Sequence, residues 1–499
     1  MNKITSIVAL SASTFLIPFG SHADVEIYQT TRQGDRLDKV EAVATGEASY
    51  TLTLDPSKTY QTLVGIGGSF TESSAQVISE LSKTKRELAL RSYFSPAGAR
   101  YSLTRTHIAS SDFSVTNYTY APVPGDKDLE HFSIEPDRKY LLPMIKEAQG
   151  IAGADFKIMA SPWTPPPWMK TNNHWNGGNL KREHYQTFAD YMVKYIQAYA
   201  VEGIPIWGVT PANEPLGNGS QWESVHFSAH EMADYIGDYL GPTLAKHAPE
   251  VKIWAYDQNR GDHLVEWAET ILGNRKAAKY TAGMAVHWYQ STIDYSAWSL
   301  DKVHEEFPDK QILHSEGCID AVGDHEAIGS WLEDDWYWRA EATDWGYDWA
   351  AEDDKVNHPK YRPFYRYARD LIGGFNHHFV GWVDWNMFLN TRGGPNHARN
   401  YCLAPILVDS GKDEFYRTPL FYALAHFSRY MRPGAVRIDM VGHDEVLMAT
   451  AFKNPDASIA IAVFNTSEEA INFDLQFMNR GKKTIMIPGQ ALQTILVKD

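Results

Sequence analysis

Cysteine is almost missing from this chain: Cys318 and Cys402 are the two among 499 residues. Two thiols give no disulfide framework, so stability has to come from a buried core. Both are read as free thiols, because a bridge needs a geometry that spacing alone does not supply. Long apolar runs are lacking as well. Beyond Phe19 no stretch reaches the ~18 apolar residues of a membrane span. There is no lysine/arginine block, and 46 basic residues face 62 acidic ones for a formal charge of −16. That balance disfavours nucleic acid and anionic membrane surfaces as partners. Gly65-x-Gly67-Gly68 lacks the spacing and helix context of a dinucleotide fingerprint. The histidines, His377-His378 included, show no metal-ligand spacing. Internal repeats and low-complexity linkers are absent too.

What is present suits a large globular chain, since 43% hydrophobic residues over this length supply one big core and a second domain. Residues 1–23 read as a secretory signal. Lys3 gives a positive start, Ile4 to Phe19 is apolar but Ser/Thr-interrupted, and Ser21-His22-Ala23 offers a small-x-small site. The expectation is an exported protein, periplasmic or extracellular, whose mature chain begins at Asp24.

Short strand-like runs then alternate with helical patterns. Candidate strands are Leu63–Gly67, Ser102–Thr106, Lys157–Ala160, Ile206–Thr210, Lys252–Tyr256, Met284–His287, Gln311–Ser315 and Gly381–Trp385. The clearest helical stretch is Lys181–Glu202, where Tyr185, Phe188, Met192, Ile196 and Tyr199 recur at helical spacing before the stop at Gly203. Eight strands with intervening helices predict an α/β fold, a (β/α)8 TIM barrel, over 61–430. From about Val436 the texture becomes all-β, with strand runs at Val446–Phe452, Ser458–Asn465, Ile471–Phe477 and Leu492–Val497. Turn clusters such as Asn454-Pro455-Asp456 and Asn479-Arg480-Gly481 part them. Glu26–Thr30 and Tyr50–Leu54 alternate in the same way. A β-sandwich built from both chain ends, 24–60 and 431–499, is therefore expected beside the barrel.

Two glutamates carry the chemistry. Glu214 in "WGVTPANEP" and Glu316 in "QILHSEGC" each follow a short strand-like run and lie 102 residues apart. Carboxylates at the C-terminal ends of barrel strands sit where this fold keeps its chemistry. Two of them facing one sugar are what retaining glycoside hydrolysis uses, one as proton donor and one as nucleophile. The amide of Asn213 can bond a sugar 2-hydroxyl, and Pro215 limits how Glu214 projects. Strand period puts Ser315 on the face opposite Glu316 and Cys318 on the same face.

These blocks resemble glycoside hydrolase family 30, and within it the glucosylceramidase-like branch. The resemblance runs from about residue 60 to the C-terminus. It rests on "GIGGSFTESSA" (65–75), "LTRTHIASSDFSVTNYTYA" (103–121), "ASPWTPPPWMKTN" (160–172), "TPANEP" (210–215), "AVHWY" (285–289), "SEGC" (315–318), "GWVDWNMFLN" (381–390) and "GGPNHARN" (393–400), in family order. It implies a TIM barrel with a β-sandwich, Glu214 as acid/base and Glu316 as nucleophile. It also implies a sugar-binding shell of Arg105, Asp112, Trp163, Asn213, His287, Tyr289, Trp385 and Asn400.

Residue chemistry offers each of these a role or a plainer alternative. Asp112 either grips two hydroxyls or caps a turn. Trp163 and Trp385 either stack on a pyranose or fill the core. Arg105 either holds the Glu316 carboxylate or makes a structural ion pair. No metal and no cofactor is expected, since the retaining mechanism needs none.

The resemblance implies a secreted retaining β-glycosidase acting on a carbohydrate or glycolipid such as glucosylceramide. An endo-β-1,6-glucanase or β-xylosidase of the same family is the alternative, and a non-catalytic carbohydrate-binding relative a third reading. The chain departs from animal glucosylceramidases at 330–364, a longer segment with Trp331, Trp336, Trp338, Trp345 and Trp349 among many acids. It either shapes the cleft or packs its tryptophans on the barrel. For a retaining pair the carboxyl groups should stand roughly 5–5.5 Å apart, whereas about 6.5–9.5 Å indicates inversion.

Overall fold

In the computed structural model, residues 24–322, 330–343, 351–477 and 481–498 are described. The signal-peptide expectation for 1–23 lies outside them, as do Trp345, Trp349 and the Asn479-Arg480 turn. Eight strands close into a parallel barrel: Gly65–Phe70, Leu103–Ile108, Lys157–Pro162, Gly208–Val209, Lys252–Asn259, Thr281–His287, Gln311–Glu316 and Phe379–Asn386. Each pairs with its sequence neighbours, and the eighth closes on the first. The fourth is shorter than the expected Ile206–Thr210, although Trp207 and Thr210 still donate to the Ile158 and Ala160 carbonyls at 2.8 and 3.1 Å. Gly67 permits close packing of the first strand on the second: a Cβ there would lie 2.0 Å from the Leu103 carbonyl oxygen.

The period of two along a strand sorts the barrel interior into layers. Leu103, Met159, Ala285 and Leu313 share an apolar cluster with Trp254, Val380 and Val383. Two residues further along the same strands stand Arg105, Met159's successor Ser161, His287 and Ser315, all buried and polar. The barrel is thus filled with hydrocarbon at its base and with hydrogen-bonding groups at its C-terminal mouth.

On the outside, the predicted long helix forms as a short 3-10 turn at Arg182–His184 leading into Tyr185–Val201. Its expected apolar face is buried, and Gly203 stops it at φ +79°.

The two chain ends form one nine-stranded sheet that folds over its own core. Its order is Arg36–Val40, Asp24–Thr30, Leu492–Lys498, Ile459–Asn465, Leu447–Lys453, Val436–Val441, Tyr50–Thr62, Ile471–Phe477 and Gly481–Ile487. In the strand Ile459–Asn465, Ile461 and Val463 point into the sandwich core. The alternating Ala460, Ala462 and Phe464 join the barrel's cluster instead. Both faces are therefore apolar. Phe375 and Phe452 meet edge-on at 5.3 Å, and the buried His426 ring bridges Thr30 and Thr494 at 2.9 and 2.8 Å.

The described part of the 330–364 segment joins barrel to sandwich. Trp331, Trp336 and Trp338 are buried in the main core. Trp338 stacks on Phe364 at 4.7 Å and donates its indole N–H to the Gln490 carbonyl at 3.2 Å. Arg32 and Arg36 reach Asp335 and Asp334 at 2.6 Å, partly exposed pairs that add little alone. Of the two readings of this segment, packing describes these three tryptophans. Trp338→Ala should lower the unfolding free energy by about 3–5 kcal/mol, measured by chemical denaturation. An unchanged unfolding midpoint would show that the strut carries no load.

Candidate active site

Three β-bulges build the mouth of the barrel. Pairing shifts register between Tyr256 and Gln258, between His314 and Glu316, and between Asp384 and Asn386. Each bulge brackets one residue, namely Asp257, Ser315 and Trp385. A bulge adds a residue and re-aims its neighbours. The strict alternation that puts Ser315 opposite Glu316 therefore fails here. Ser315 donates to Asp257 Oδ1 at 2.6 Å, while Glu316 comes level with His287 and also faces the mouth. Backbone strain collects at the same level: Glu214, Tyr256 and Asp257 have φ of +46°, +77° and +56°. Such non-glycine conformations persist only where the surroundings enforce them. Glu214 lies beyond its strand, held by its N–H to the Asp257 carbonyl at 2.9 Å.

Arg105 occupies the centre with no exposure. Its Nη1 meets Glu316 Oε2, and its Nη2 donates to Asp257 Oδ2 at 2.8 Å and to Asn213 Oδ1 at 2.7 Å. Its Nε donates to Ser161 Oγ at 3.1 Å, and its plane lies 4.9 and 5.5 Å from the Trp163 and Trp385 rings. Both sequence alternatives for Arg105 hold together: it pairs with Glu316 and with a structural carboxylate.

Asp257 also accepts from Ser161 and Thr210 hydroxyls, at 3.0 and 2.8 Å, and contacts His287 Nε2 at 3.0 Å. Burial opposes its charge, but Arg105, His287 and Ser315 outweigh that and hold it far below the usual carboxylate range. No motif pointed to Asp257. Its place directly after the fifth predicted strand was the available signal.

His287 links the hub to the reacting pair. Nδ1 lies 3.1 Å from Glu214 Oε1 and 4.0 Å from Glu316 Oε1. Burial works against an imidazolium, yet Glu316, Asp257 and Glu214 raise it to about 9. A charged ring donates from both nitrogens, so Glu214 Oε1 is an acceptor and Oε2 is left for other work. Tyr289 donates its hydroxyl to Glu316 Oε1 at 3.1 Å. Burial first, then the charges of Glu214 and Asp257, hold the Glu316 carboxyl above the usual carboxylate range, although His287 and Arg105 pull it down. Arg105 and Tyr289 both bond the Glu316 carboxyl and fix its orientation.

An oxygen of Glu214 and one of Glu316 lie within 4.8 Å of each other.

The wall holds the remaining predicted residues. Asn400 donates to Asp112 Oδ2 at 2.8 Å, and Asp112 Oδ1 is buried without a partner. That oxygen is open to a hydroxyl donor, as a sugar grip requires. Of the two readings of Trp163 and Trp385, packing describes the contacts they make. They stack on each other at 5.1 Å and are each 2% exposed. Their faces contact one another and Arg105. Trp222, missed by sequence reasoning, is half-buried against the same cluster and offers more open aromatic surface.

Comparison with known proteins places this architecture. The glycosyl hydrolase family 30 TIM-barrel domain matches residues 63–337 and 337–431, and the family's β-sandwich domain matches 434–495. The chain belongs to glycosyl hydrolase family 30. It is 36% identical over 483 residues to lysosomal acid glucosylceramidase of Mus musculus, covering 94% of this chain and 88% of that protein. SrfJ from Salmonella typhimurium superposes with a TM-score of 0.82 at 30% identity, over 95% of this chain and 99% of that one. A solved endo-β1,6-glucanase superposes at 0.81 with 28% identity, over 95% and 100%. This family 30 member is thus a glycosidase with glucosylceramidase and endo-β-1,6-glucanase homologues.

The His287 shift makes a pH prediction. Its folded pKa of about 9 stands above the ordinary value near 6.5. The stabilisation is therefore complete below about pH 6.5 and lost as pH rises through the folded value, on the order of 3 kcal/mol in all. Thermal midpoints of the wild type should fall more steeply over that window than those of His287→Asn. Parallel profiles would remove His287 as the titrating group.

Proposed function

We propose that this chain is a retaining β-glucosidase of family 30, cleaving a β-glucoside such as glucosylceramide by double displacement. The observation that carries the reading is that one oxygen of Glu214 and one of Glu316 lie within 4.8 Å of each other at the barrel mouth, so that both carboxyls face one reacting centre, as a retaining pair does. Glu316 attacks the anomeric carbon as Glu214 delivers its proton to the leaving oxygen, and a covalent glycosyl-enzyme forms. Water then attacks that carbon, gives its proton to Glu214, and frees Glu316. Arg105 and Tyr289 orient the nucleophile and favour its anionic form, and they hold the carboxylate that departs in the second step.

The rest of the shell follows from its donors. Asn213 has its oxygen committed to Arg105, which leaves its N–H groups for the 2-hydroxyl. Asp112 Oδ1 takes a hydroxyl on the far side of the ring, steadied by Asn400. Trp222 serves as the stacking surface. The mouse enzyme's name supports a glucosylceramide-type substrate. The superposition on an endo-β1,6-glucanase supports β-1,6-glucan as the second reading. Export through residues 1–23 is part of the same proposal.

Glu316→Ala should abolish turnover of every glycoside. Glu214→Ala should cut hydrolysis of substrates with poor leaving groups by ~10²–10⁴, spare activated aryl glucosides, and regain rate with azide as a glycosyl azide forms. Near-normal turnover by Glu316→Ala would sink the nucleophile assignment. Comparing kcat/KM on glucosylceramide, β-1,6-glucan, aryl β-glucoside and aryl β-xyloside decides the substrate.

A further inference from the structure

Beside the catalytic pair, the loops after the seventh and eighth barrel strands meet in a small antiparallel ladder, Ile319–Val322 against Asn400–Leu403. Asp320 stands directly opposite Cys402, and Cys318 lies two residues before Asp320 on the same face. Three donor atoms converge there. Cys318 Sγ and Cys402 Sγ are 3.0 Å apart, and Asp320 Oδ1 is 3.2 Å from the first and 3.3 Å from the second. Both cysteines are 1% exposed. We propose that Cys318, Cys402 and Asp320 bind a thiophilic d10 cation of the zinc class, and that its occupancy restrains the neighbouring nucleophile through Tyr289.

The chemistry of the donor set carries the first half. Two thiols have two protons to share among three short links, and all three groups are acids, the cysteines buried and Asp320 half-buried. Whichever ionises makes the others harder to ionise. A cation removes that conflict: thiolates and a carboxylate are the ligands zinc takes, at about 2.3 Å for sulfur and 2.0–2.2 Å for oxygen. Tetrahedral angles at those bond lengths set the sulfurs about 3.8 Å apart, so the pair has to open by less than 1 Å. A fourth position stays available to water.

A disulfide is the competing fate of two such sulfurs. It would draw them together to about 2.05 Å and remove both thiol protons. Asp320 Oδ1, on a half-buried residue, would then lose both of its thiol donors, which costs free energy. A bound cation keeps that oxygen engaged.

The second half rests on the catalytic reading of Glu316, whereas the binding site does not. The Tyr289 hydroxyl is 3.5 Å from Cys318 Sγ and donates to Glu316 Oε1. A metal-bound thiolate at Cys318 accepts from that hydroxyl and competes with Glu316 for it. The nucleophile then loses one of its two donors. The retaining reaction itself needs no metal, so the site acts as a brake.

The test uses the full chain, reduced with a phosphine that is then removed. Cadmium titration should give a thiolate charge-transfer band saturating at one equivalent per chain. The band should vanish in Cys402→Ser, and Asp320→Asn should weaken binding by at least about tenfold. Zinc should lower kcat on an aryl β-glucoside several-fold in the wild type and leave Cys402→Ser unaffected, with metal-free turnover the same in both and folding checked by circular dichroism. Absence of the band while both thiols titrate would overturn the site. So would thiols that titrate in denatured protein only after reduction, since that shows a disulfide. Zinc inhibition that persists in Cys402→Ser would place the cation at Glu214, His287 and Glu316, and would overturn the coupling. Cadmium binding in an enzyme whose Glu316→Ala variant stays active would keep the site and reject the catalytic reading instead.

Discussion

A guanidinium without solvent contact, Arg105, sits at the middle of the barrel's open end. A buried cation is tolerated only when paired and fully hydrogen-bonded, and removing one partner of such a set costs roughly 3–5 kcal/mol. The upper layer of the barrel answers that demand. Asp257 supplies the permanent counter-charge and is itself held by three hydroxyls and an imidazole. Glu316 is the second counter-charge, and it alone turns toward the cleft. The same electrostatic requirement that makes the core possible therefore leaves one carboxyl paired with the guanidinium and aimed at the space above it.

Geometry for that arrangement comes from irregular backbone. A regular parallel barrel alternates inward and outward side chains, which would offer one polar layer and little choice of angle. Bulges at the ends of the fifth, seventh and eighth strands place Asp257, Ser315 with Glu316, and Trp385 out of phase. Positive φ at Glu214 and Asp257 adds strain, of order 1–3 kcal/mol per residue. A core as large as this one absorbs such local cost. The stacked indoles of Trp163 and Trp385 cover the guanidinium from the side and exclude water, which strengthens every charge interaction beneath them.

The sandwich contributes at a distance. Its strands are apolar on both faces because one face closes its own core and the other carries the barrel helices Pro363–Asn376 and Pro419–Ser428. Trp331 shows how that support reaches the site. It packs under Gly393, where a Cβ would come within 3.0 Å of its ring, and Gly393 opens the loop that ends at Asn400 and Cys402. The tryptophan-rich segment thus braces a wall of the cleft from behind.

Amino-acid order alone determined a good deal. The alternation of apolar runs and helical stretches predicted eight strands and a barrel, and all eight form. The return of strand texture near Val436 predicted a sandwich sharing both chain ends, because local period and turn chemistry survive without tertiary context. Motif blocks singled out Glu214, Glu316, Arg105, Asp112, Asn213, His287, Tyr289 and Asn400, and the fold gathers all eight at one mouth. Tertiary structure decided the rest. Asp257 is joined to Arg105 across 152 positions, a distance over which no periodicity speaks. Ser315 and Glu316 share a side because a bulge breaks the period of two, and bulges depend on the neighbouring strand. Sequence left Trp163 and Trp385 as sugar platforms or core filling, and each closes on the other because their strand ends meet in space. Cys318 and Cys402, 84 positions apart, become neighbours through a ladder between two loops, and only that pairing gives two isolated thiols a common chemistry.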